Sequence, residues 1–193
     1  MKLYMVRHGQ SETNLAKRFT GWAQVNLTEQ GMEDAKRAGR YLQGLSFDRI
    51  YSSDLIRAVQ TAQNAIPGCE PVQLSQLREI GLGNLEMRSI EECAQQLGET
   101  FAENRRAYDF TAYGGENRDM MEARVRQFFQ MLENDPCEQA VAFAHAGTLQ
   151  TALDIVLDTR LDRSHLICSN GSVAMFEYMG GRWVLRMWGG AME

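Results

Sequence analysis

Two kinds of hydrophobic pattern follow one another along the chain. Short apolar runs at 3–6 and 140–144 contain no polar residue, which is typical of parallel strands that are buried on both faces. Elsewhere, apolar residues recur every three or four positions, as they do on one face of an α-helix. This register predicts helices from Thr28, as the capping residue, to about Gly44 and across 55–66, 121–132 and 149–157.

Turn residues separate these helices from four further strand-like runs. We predict strands at 47–51, 71–74, 173–178 and 182–188, the last two joined as a hairpin at Gly180-Gly181. Because strands and helices alternate, we expect an α/β fold, a three-layer α/β/α sandwich with a mainly parallel central sheet. The polar segment from about Ser89 to Tyr113 predicts a small helical cap over the edge of that sheet.

Length, composition and charge indicate one ordinary globular domain. The chain has 193 residues, of which 44% are hydrophobic and 23% charged, so we expect a single domain over 1–193. The net charge of −5 and the scattered arginines give no reason to expect a nucleic-acid partner. No apolar run approaches membrane-spanning length, and the N-terminal run is too short for a signal peptide. We therefore predict a cytoplasmic protein with no membrane partner, in which exposed edge strands would permit a homodimer.

The four cysteines give no sign of a metal site. They lie far apart, and no C-x-x-C pair occurs in the sequence. This spacing argues against zinc and favours reduced, mostly buried thiols. We predict that the protein holds no metal and needs no cofactor.

Ligand-type side chains stand at the ends of the predicted strands. Arg7 and His8 follow the first strand, Arg57 opens the helix after the second, Glu79 lies in the loop after the third, and His145 follows the run at 140–144. The carboxyl ends of parallel strands meet at one edge of a sheet, where open α/β proteins bind ligands. We therefore expect these five side chains to form one active site beneath the cap.

Two imidazoles, two guanidiniums and a carboxylate suit phosphoryl transfer. The arginines and one histidine can hold the charged oxygens while the other imidazole attacks in line and becomes a phosphohistidine. Glu79 would donate a proton to the leaving alkoxide and then take one from the attacking water. Taken alone, Arg57 could be a solvated helix residue, Glu79 a surface carboxylate and His145 a core histidine. We favour catalysis because four separate strand ends would otherwise carry such residues by accident.

The stretch from Arg7 to Asn14 has a known counterpart. The sequence resembles the histidine phosphatase superfamily, also called the phosphoglycerate mutase-like family, whose signature is R-H-G-x-[ST]-x-x-N. The resemblance covers nearly the whole chain. Its other motifs fall at 21–31, 53–62, 77–83, 114–116 and 145–147.

This resemblance implies a role for each residue of the site. His8 would be the phosphorylated nucleophile, and Glu79 the proton donor. The substrate would be a small-molecule phosphomonoester. Its phosphate would be bound by Arg7, Asn14, Gly21, Arg57, His145 and Ala146.

Within this family, the sequence favours a phosphatase. Cofactor-dependent phosphoglycerate mutases carry R-H-Y-G around the acid-base glutamate and an extra basic loop, whereas this chain has R-E-I-G-L-G at 78–83 and a compact cap-like insertion at roughly 84–116. We expect a metal-independent phosphomonoesterase that acts through a phosphohistidine, with phosphoglycerate mutase as the alternative. A non-catalytic phosphate-binding module of the same fold is less favoured because the catalytic set is intact. No Cys-x5-Arg loop or Gly-Lys pair occurs, which excludes cysteine-nucleophile phosphatases and P-loops.

Two positions depart from the family pattern. Gln10 stands where the family usually has glutamate, in a loop outside the phosphate pocket. Met87 follows Glu86 where related phosphatases usually have glycine. Its bulk near the pocket mouth affects the leaving-group side of the substrate rather than the chemistry.

Overall fold

A six-stranded sheet with helices on both faces forms the centre of the computed structural model, which describes residues 1–163 and 166–191. The strands are β1 (Lys2–Arg7), β2 (Arg49–Ser52), β3 (Val72–Gln73), β4 (Gln139–Ala144), β5 (Val173–Met179) and β6 (Arg182–Gly190). Their order across the sheet is β3-β2-β4-β1-β5-β6. The first four strands are parallel, and β5 runs antiparallel to both of its neighbours. The predicted α/β fold with a mainly parallel sheet is confirmed.

In the described part of the chain, six α-helices connect and cover the strands. They are α1 (Glu12–Leu15), α2 (Glu29–Tyr41), α3 (Ile56–Ala65), α4 (Ile90–Ala107), α5 (Arg118–Glu133) and α6 (Ala146–Leu157). Thr28 caps α2 as predicted, because its Oγ1 accepts a hydrogen bond from the Gly31 N–H at 3.1 Å. Within the described ranges, the helices are too short or too polar for any of them to span a bilayer.

The two uninterrupted apolar runs become adjacent central strands. β1 and β4 pair in parallel register, with Arg7 opposite Ala144. The backbone N–H of His8 then donates to the carbonyl of Ala144 at 2.9 Å, which extends the ladder by one bond. As a result, His8 and His145 leave the sheet side by side at the same edge.

Both faces of the sheet are covered, which explains why these strands lack polar alternation. One face packs on α2 and α3 through strand residues Tyr4, Val6, Val141, Phe143 and Val173. The other face packs on α5 and α6 through strand residues Leu3, Met5, Ala140, Ala142, Ala144, Ala174 and Phe176. The three predicted layers are therefore present.

The predicted cap, residues 89–113, contains α4 and a short 3-10 turn at Thr111–Tyr113. Gly98 interrupts α4 with φ 63° and ψ −149°, a backbone conformation that favours glycine. The Phe101 ring of the cap is buried edge-on against Phe19, with ring centroids 5.8 Å apart. This contact attaches the cap to the loop between α1 and α2.

Several predicted boundaries are wrong by a few residues. β2 begins at Arg49 instead of 47, because the Asp48 carboxylate accepts the backbone N–H groups of Glu138 and Gln139 at 2.8 and 3.0 Å. This side chain takes the place of a strand hydrogen bond. α2 ends at Tyr41, before the left-handed turn at Gly44. β3 is only two residues long, because it is an exposed edge strand that pairs on one side.

Candidate active site

His8 is buried at the end of β1 with its ring held in one tautomer. Its Nδ1 lies 2.6 Å from the carbonyl oxygen of Gly9, an acceptor only, so Nδ1 carries the hydrogen. Its Nε2 is then the unprotonated nitrogen, and it accepts a 3.3 Å hydrogen bond from Nε of Arg57. Burial, followed by the charges of Arg57 and Arg7, lowers the pKa of His8 well below its ordinary value. The ring is therefore neutral at physiological pH, and its Nε2 keeps the lone pair that nucleophilic attack requires, which in this structure accepts the Arg57 hydrogen bond.

Arg57 lies on the first turn of α3 and is completely buried, with no exposed surface. Besides His8, its guanidinium donates to the carbonyls of Ala23 at 3.0 Å and Gly21 at 2.9 Å. Burial lowers the pKa of Arg57 to about 10, so it remains charged at neutral pH. The solvated-arginine interpretation is wrong for this residue, because it is a fixed cation beside His8 Nε2.

His145 follows β4 and is also completely buried. Its ring centroid is 5.1 Å from that of His8 at an interplanar angle of 60°. Neither ring nitrogen has a hydrogen-bond partner among the described residues. Burial, followed by the charge of Arg57, lowers the pKa of His145 well below its ordinary value. A buried imidazole without partners is costly, and a bound phosphate oxygen would satisfy it.

Arg7 and Asn14 complete the basic and polar wall. One terminal nitrogen of Arg7 donates to the carbonyl of Cys168, while its buried Nε has no partner in the described part of the chain. The side-chain oxygen of Asn14 accepts from the N–H of Ser11 at 3.1 Å and from the amide of Asn170 at 3.3 Å. Since Asn14 also lines the cavity, its NH2 group remains as a donor for a ligand.

The two small residues predicted at the phosphate differ in position. Gly21 lines the cavity at φ 52°, and a Cβ added there would come within 2.4 Å of Glu86 Oε1. Ala146 is the first residue of α6, directly after His145, and it is not among the residues that line the cavity. Gly21 is therefore a lining residue of the cavity, whereas Ala146, like the adjacent His145, is not.

Glu79 reaches the same cavity from the loop after β3. Its Oε1 accepts the N–H of Ile80 at 2.9 Å and lies 3.4 Å from the hydroxyl of Tyr108. Its Oε2 accepts the N–H of Gly147 at 3.1 Å, near the N-terminus of α6. Oε2 has fewer donors than Oε1, so it is the oxygen better placed to carry a transferable proton.

Two other carboxylates nearby make structural contacts. Glu116 forms paired bonds of 3.0 and 2.9 Å with Arg124, and it also accepts the N–H of Gly81 at 2.9 Å. Glu86 accepts the N–H of Trp22 at 2.8 Å. Both groups fix loops around Glu79, which leaves Glu79 as the best-placed acid.

A cavity of about 930 Å³ lies between the sheet edge and the cap. Its inner end contains the side chains of Arg7, His8, Arg57 and Glu79. Apolar residues from both sides form part of its wall: Phe19, Ile80, Leu82, Ala94, Phe101, Ala102, Leu161 and Phe110. The predicted cap therefore lies over the predicted catalytic residues.

Several residues of this site carry no signal in the sequence pattern. Tyr108 and Arg105 belong to the polar cap, where no motif distinguishes them from other surface residues. Asn170 lies in the loop before β5, and its amide donates to the carbonyl of His8 at 3.0 Å as well as to Asn14. Only tertiary packing brings Tyr108 and Arg105 to the cavity and places Asn170 against the His8 backbone and the Asn14 side chain.

The donor set does not indicate a metal site. Within 1–163 and 166–191, no three His, Cys, Asp or Glu side chains are arranged so that they could hold a metal ion. All four cysteines are free thiols. Metal independence stays a prediction, and its test is given below.

Comparison with known proteins gives relatives of two named activities. The chain is 38% identical over 168 residues to a 2,3-bisphosphoglycerate-dependent phosphoglycerate mutase of Azorhizobium caulinodans, covering 81% of each chain. It superimposes on the mycobacterial glucosyl-3-phosphoglycerate phosphatase with a TM-score of 0.83 and 26% identity, covering 97% of this chain and 98% of the other. These relatives are similar to the chain in sequence and in structure, respectively.

A third comparison supports the fold alone. The α-ribazole phosphatase of Shigella flexneri superimposes with a TM-score of 0.88 at 23% identity, covering 99% of this chain and 97% of that one. The family model of the histidine phosphatase superfamily, branch 1, matches residues 3–190. This chain therefore belongs to the histidine phosphatase superfamily.

Proposed function

We propose that this chain is a metal-independent phosphomonoesterase that hydrolyses small phosphorylated metabolites through a phosphohistidine on His8. One observation carries the proposal. The unprotonated Nε2 of His8 lies beside the cation of Arg57, and the neighbouring His145 ring is buried without a partner in the described residues. A phosphoryl group placed here would meet a nucleophile, a fixed positive charge and a vacant hydrogen-bonding ring together.

In the first half-reaction, Nε2 of His8 attacks the phosphorus atom. A P–N bond forms, and the bond between phosphorus and the leaving-group oxygen breaks. Arg7 and Arg57 stabilise the negative charge on the phosphoryl oxygens, and His145 supplies a further hydrogen bond. Glu79 transfers its proton to the departing oxygen, so the product leaves as an alcohol and Glu79 becomes a carboxylate.

In the second half-reaction, water enters on the side that the alcohol has left. The Glu79 carboxylate takes a proton from this water as the oxygen attacks phosphorus. The P–N bond breaks, and inorganic phosphate is released. His8 and protonated Glu79 are then restored, so the cycle needs no outside acid or base.

Two features support a hydrolase over a mutase. The acid-base segment reads R-E-I-G instead of the R-H-Y-G of cofactor-dependent mutases. The cavity of about 930 Å³ is near the upper end of ligand pockets, about 300–1,000 Å³. A short acid such as phosphoglycerate would leave much of that space for water. Mutase activity is the second candidate because of the 38% identity to a named phosphoglycerate mutase.

The lining of the cavity favours a leaving group that carries negative charge. Six arginines line it in addition to Arg7 and Arg57: Arg18, Arg105, Arg106, Arg118, Arg160 and Arg163. Most have anionic partners, such as Asp154 for Arg118 at 2.7 Å and Glu99 for Arg106 at 2.8 Å. Arg105 makes no side-chain hydrogen bond or ion pair with any described residue. Its charge is available to a carboxylate or second phosphate on the substrate.

We expect Arg105→Ala to raise KM on the order of 3- to 10-fold for monoesters with an anionic leaving group, because an exposed ion pair contributes modestly to binding. The KM of sugar phosphates, whose leaving group is uncharged, should change little. Arg182→Ala, on the exposed hairpin end, is the control for the loss of one positive charge. Steady-state kinetics on both substrate classes at low and high salt makes the comparison. Equal KM changes in both classes would contradict this assignment.

We also propose a cytoplasmic location, since free thiols such as those of Cys69 and Cys137 are typical of a reducing compartment.

A homodimer stays a prediction. The edge strand β6 would be available for pairing with a second copy.

The test of the proposed function is phosphate release from a panel of monoesters in the presence of EDTA. The panel contains phosphoserine, 3-phosphoglycerate, sugar phosphates, nucleoside 5′-monophosphates, α-ribazole 5′-phosphate and p-nitrophenyl phosphate. We expect release of inorganic phosphate from at least one metabolite at a rate that EDTA does not lower. In parallel, 3-phosphoglycerate is incubated with 2,3-bisphosphoglycerate, and the formation of 2-phosphoglycerate is measured.

The possible results separate the candidates. Loss of activity in EDTA that a divalent ion restores would indicate a metallohydrolase. Rapid formation of 2-phosphoglycerate with little phosphate release would indicate the mutase. Binding of phosphate without turnover of any ester would indicate the non-catalytic module.

A further inference from the structure

Tyr108 is a cap residue whose backbone turns its ring toward the active site. It ends α4 in the left-handed region at φ 57°, and its N–H bonds back to Asn104 and Arg105 carbonyls. This conformation is unfavourable for a tyrosine and needs support from surrounding contacts. The side chain lines the cavity that contains His8 and Glu79. The cap therefore contributes a hydroxyl group directly beside the candidate acid.

The space where Tyr108 meets Glu79 exists because residue 147 is glycine. A Cβ on Gly147 would come within 2.1 Å of Glu79 Oε1 and 2.2 Å of the Tyr108 hydroxyl. Without a side chain there, the Gly147 N–H reaches Oε2 while the tyrosine hydroxyl lies 3.4 Å from Oε1. The two oxygens of the carboxylate thus have donors from different parts of the fold.

Arg163 holds the Tyr108 ring from its other side. The guanidinium carbon lies 3.9 Å from the ring centroid, which is a cation–π contact. The same guanidinium donates to Thr151 Oγ1 at 2.8 Å and to the Gly147 carbonyl at 3.3 Å, both on α6. The ring is thereby fixed between the cap and the helix that carries the Glu79 contact.

The tyrosine hydroxyl stays protonated in this setting. Burial, followed by the charge of Glu79, raises the pKa of Tyr108 above its ordinary value. Tyr108 is therefore a hydrogen-bond donor toward the carboxylate and does not compete with Glu79 as an acid.

We infer that Tyr108 is a positioning residue for Glu79. Its hydroxyl, together with the Ile80 N–H, occupies Oε1, so the proton that reaches the leaving group is carried on Oε2. Because Tyr108 belongs to the cap, proton transfer depends on the cap being seated over the site. This inference rests on the proposed function, in which Glu79 is the general acid.

The test is the leaving-group dependence of Tyr108→Phe, which keeps the ring and its stacking with Arg163. For alkyl phosphates, kcat should fall about 5- to 20-fold with KM nearly unchanged, near the lower end of the effect of a hydrogen bond to a charged group because this contact is long at 3.4 Å. For an activated aryl phosphate, kcat should change less than about 3-fold, because that group leaves without a proton. Tyr113→Phe is the matched control, since the Tyr113 hydroxyl makes no hydrogen bond to the described residues and packs its ring on Phe101.

A double-mutant cycle makes the result specific to Glu79. In a Glu79→Gln background, Tyr108→Phe should cause little further loss, because the group that it positions is already disabled. If Tyr108→Phe lowered kcat equally for alkyl and aryl phosphates, the inference would be overturned. It would also be overturned if Tyr108→Phe lowered kcat as much in the Glu79→Gln background as in the wild type. If Glu79→Gln itself shows no leaving-group dependence, the general-acid role of Glu79 in the proposed function fails and another acid must be sought, and that result is separate from the outcome for Tyr108.

Discussion

Replacing His8 with alanine is expected to lower phosphatase turnover by roughly 10⁴-fold or more, the usual effect of removing a catalytic nucleophile. No other described side chain combines an unprotonated nitrogen, contact with Arg57 and a place in the cavity. His145 is not placed to take over, because its buried ring makes no hydrogen bond to Arg57 or to any other described residue that would orient it for attack. The measurement is kcat/KM with p-nitrophenyl phosphate for the wild type and the variant.

His145→Ala is the informative comparison for this result. It should lower turnover by removing a phosphate contact, while phosphate transfer to His8 still occurs. Circular dichroism and thermal unfolding would establish that both variants fold. If His8→Ala keeps near wild-type turnover while folded, His8 is not the nucleophile and the covalent mechanism is wrong.

Replacing Glu79 with glutamine should lower the turnover of substrates with poor leaving groups far more than that of substrates with good ones. Glutamine keeps the size of the side chain but has no carboxyl proton to donate. Turnover of alkyl phosphates should fall on the order of 10²–10⁴-fold, the usual contribution of a positioned general acid. An activated aryl phosphate can leave as an anion, so its transfer to His8 should be much less affected. The water step still needs Glu79 as base, so the variant should accumulate phosphoenzyme with the aryl substrate.

Glu86→Gln is the matched control for Glu79→Gln. Glu86 Oε1 accepts the Trp22 N–H at 2.8 Å, a bond that a glutamine oxygen can also accept. Replacing Glu86 should lower the turnover of alkyl and aryl phosphates only slightly and to the same extent. If Glu79→Gln lowers the turnover of alkyl and aryl phosphates equally and no phosphoenzyme is trapped, Glu79 only shapes the pocket and another acid must be sought.

Strand and core positions could be predicted from the sequence because one physical pattern determines them. The runs at 3–6 and 140–144 must be buried on both faces, so they become the central pair β1 and β4. Because β1 and β4 are parallel neighbours, His8 and His145, which directly follow them, lie together at one edge of the sheet. This pairing could be predicted from the two apolar runs alone. The predicted strand boundaries were wrong where a side chain took the place of a backbone hydrogen bond between strands, as Asp48 does before β2.

The cap side of the site could not be predicted in the same way. Tyr108 reaches Glu79 through a left-handed residue and a stacked arginine, neither of which leaves a periodic pattern. Net charge was also uninformative, since a chain with a formal charge of −5 encloses a cavity lined by eight arginines. Acidic residues elsewhere in the chain outnumber the basic ones and make the total negative, while the fold sets the local field.

The most direct test of phosphohistidine catalysis is to trap the intermediate and locate it. The enzyme is mixed for milliseconds with a monoester radiolabelled in its phosphoryl group, quenched in alkali, digested and mapped by mass spectrometry. We expect a transient label on the peptide that contains His8, formed faster than phosphate is released in the steady state and absent from His8→Ala. Labelling of another residue, or phosphate release from the wild type with no labelled protein at any time, would contradict the mechanism.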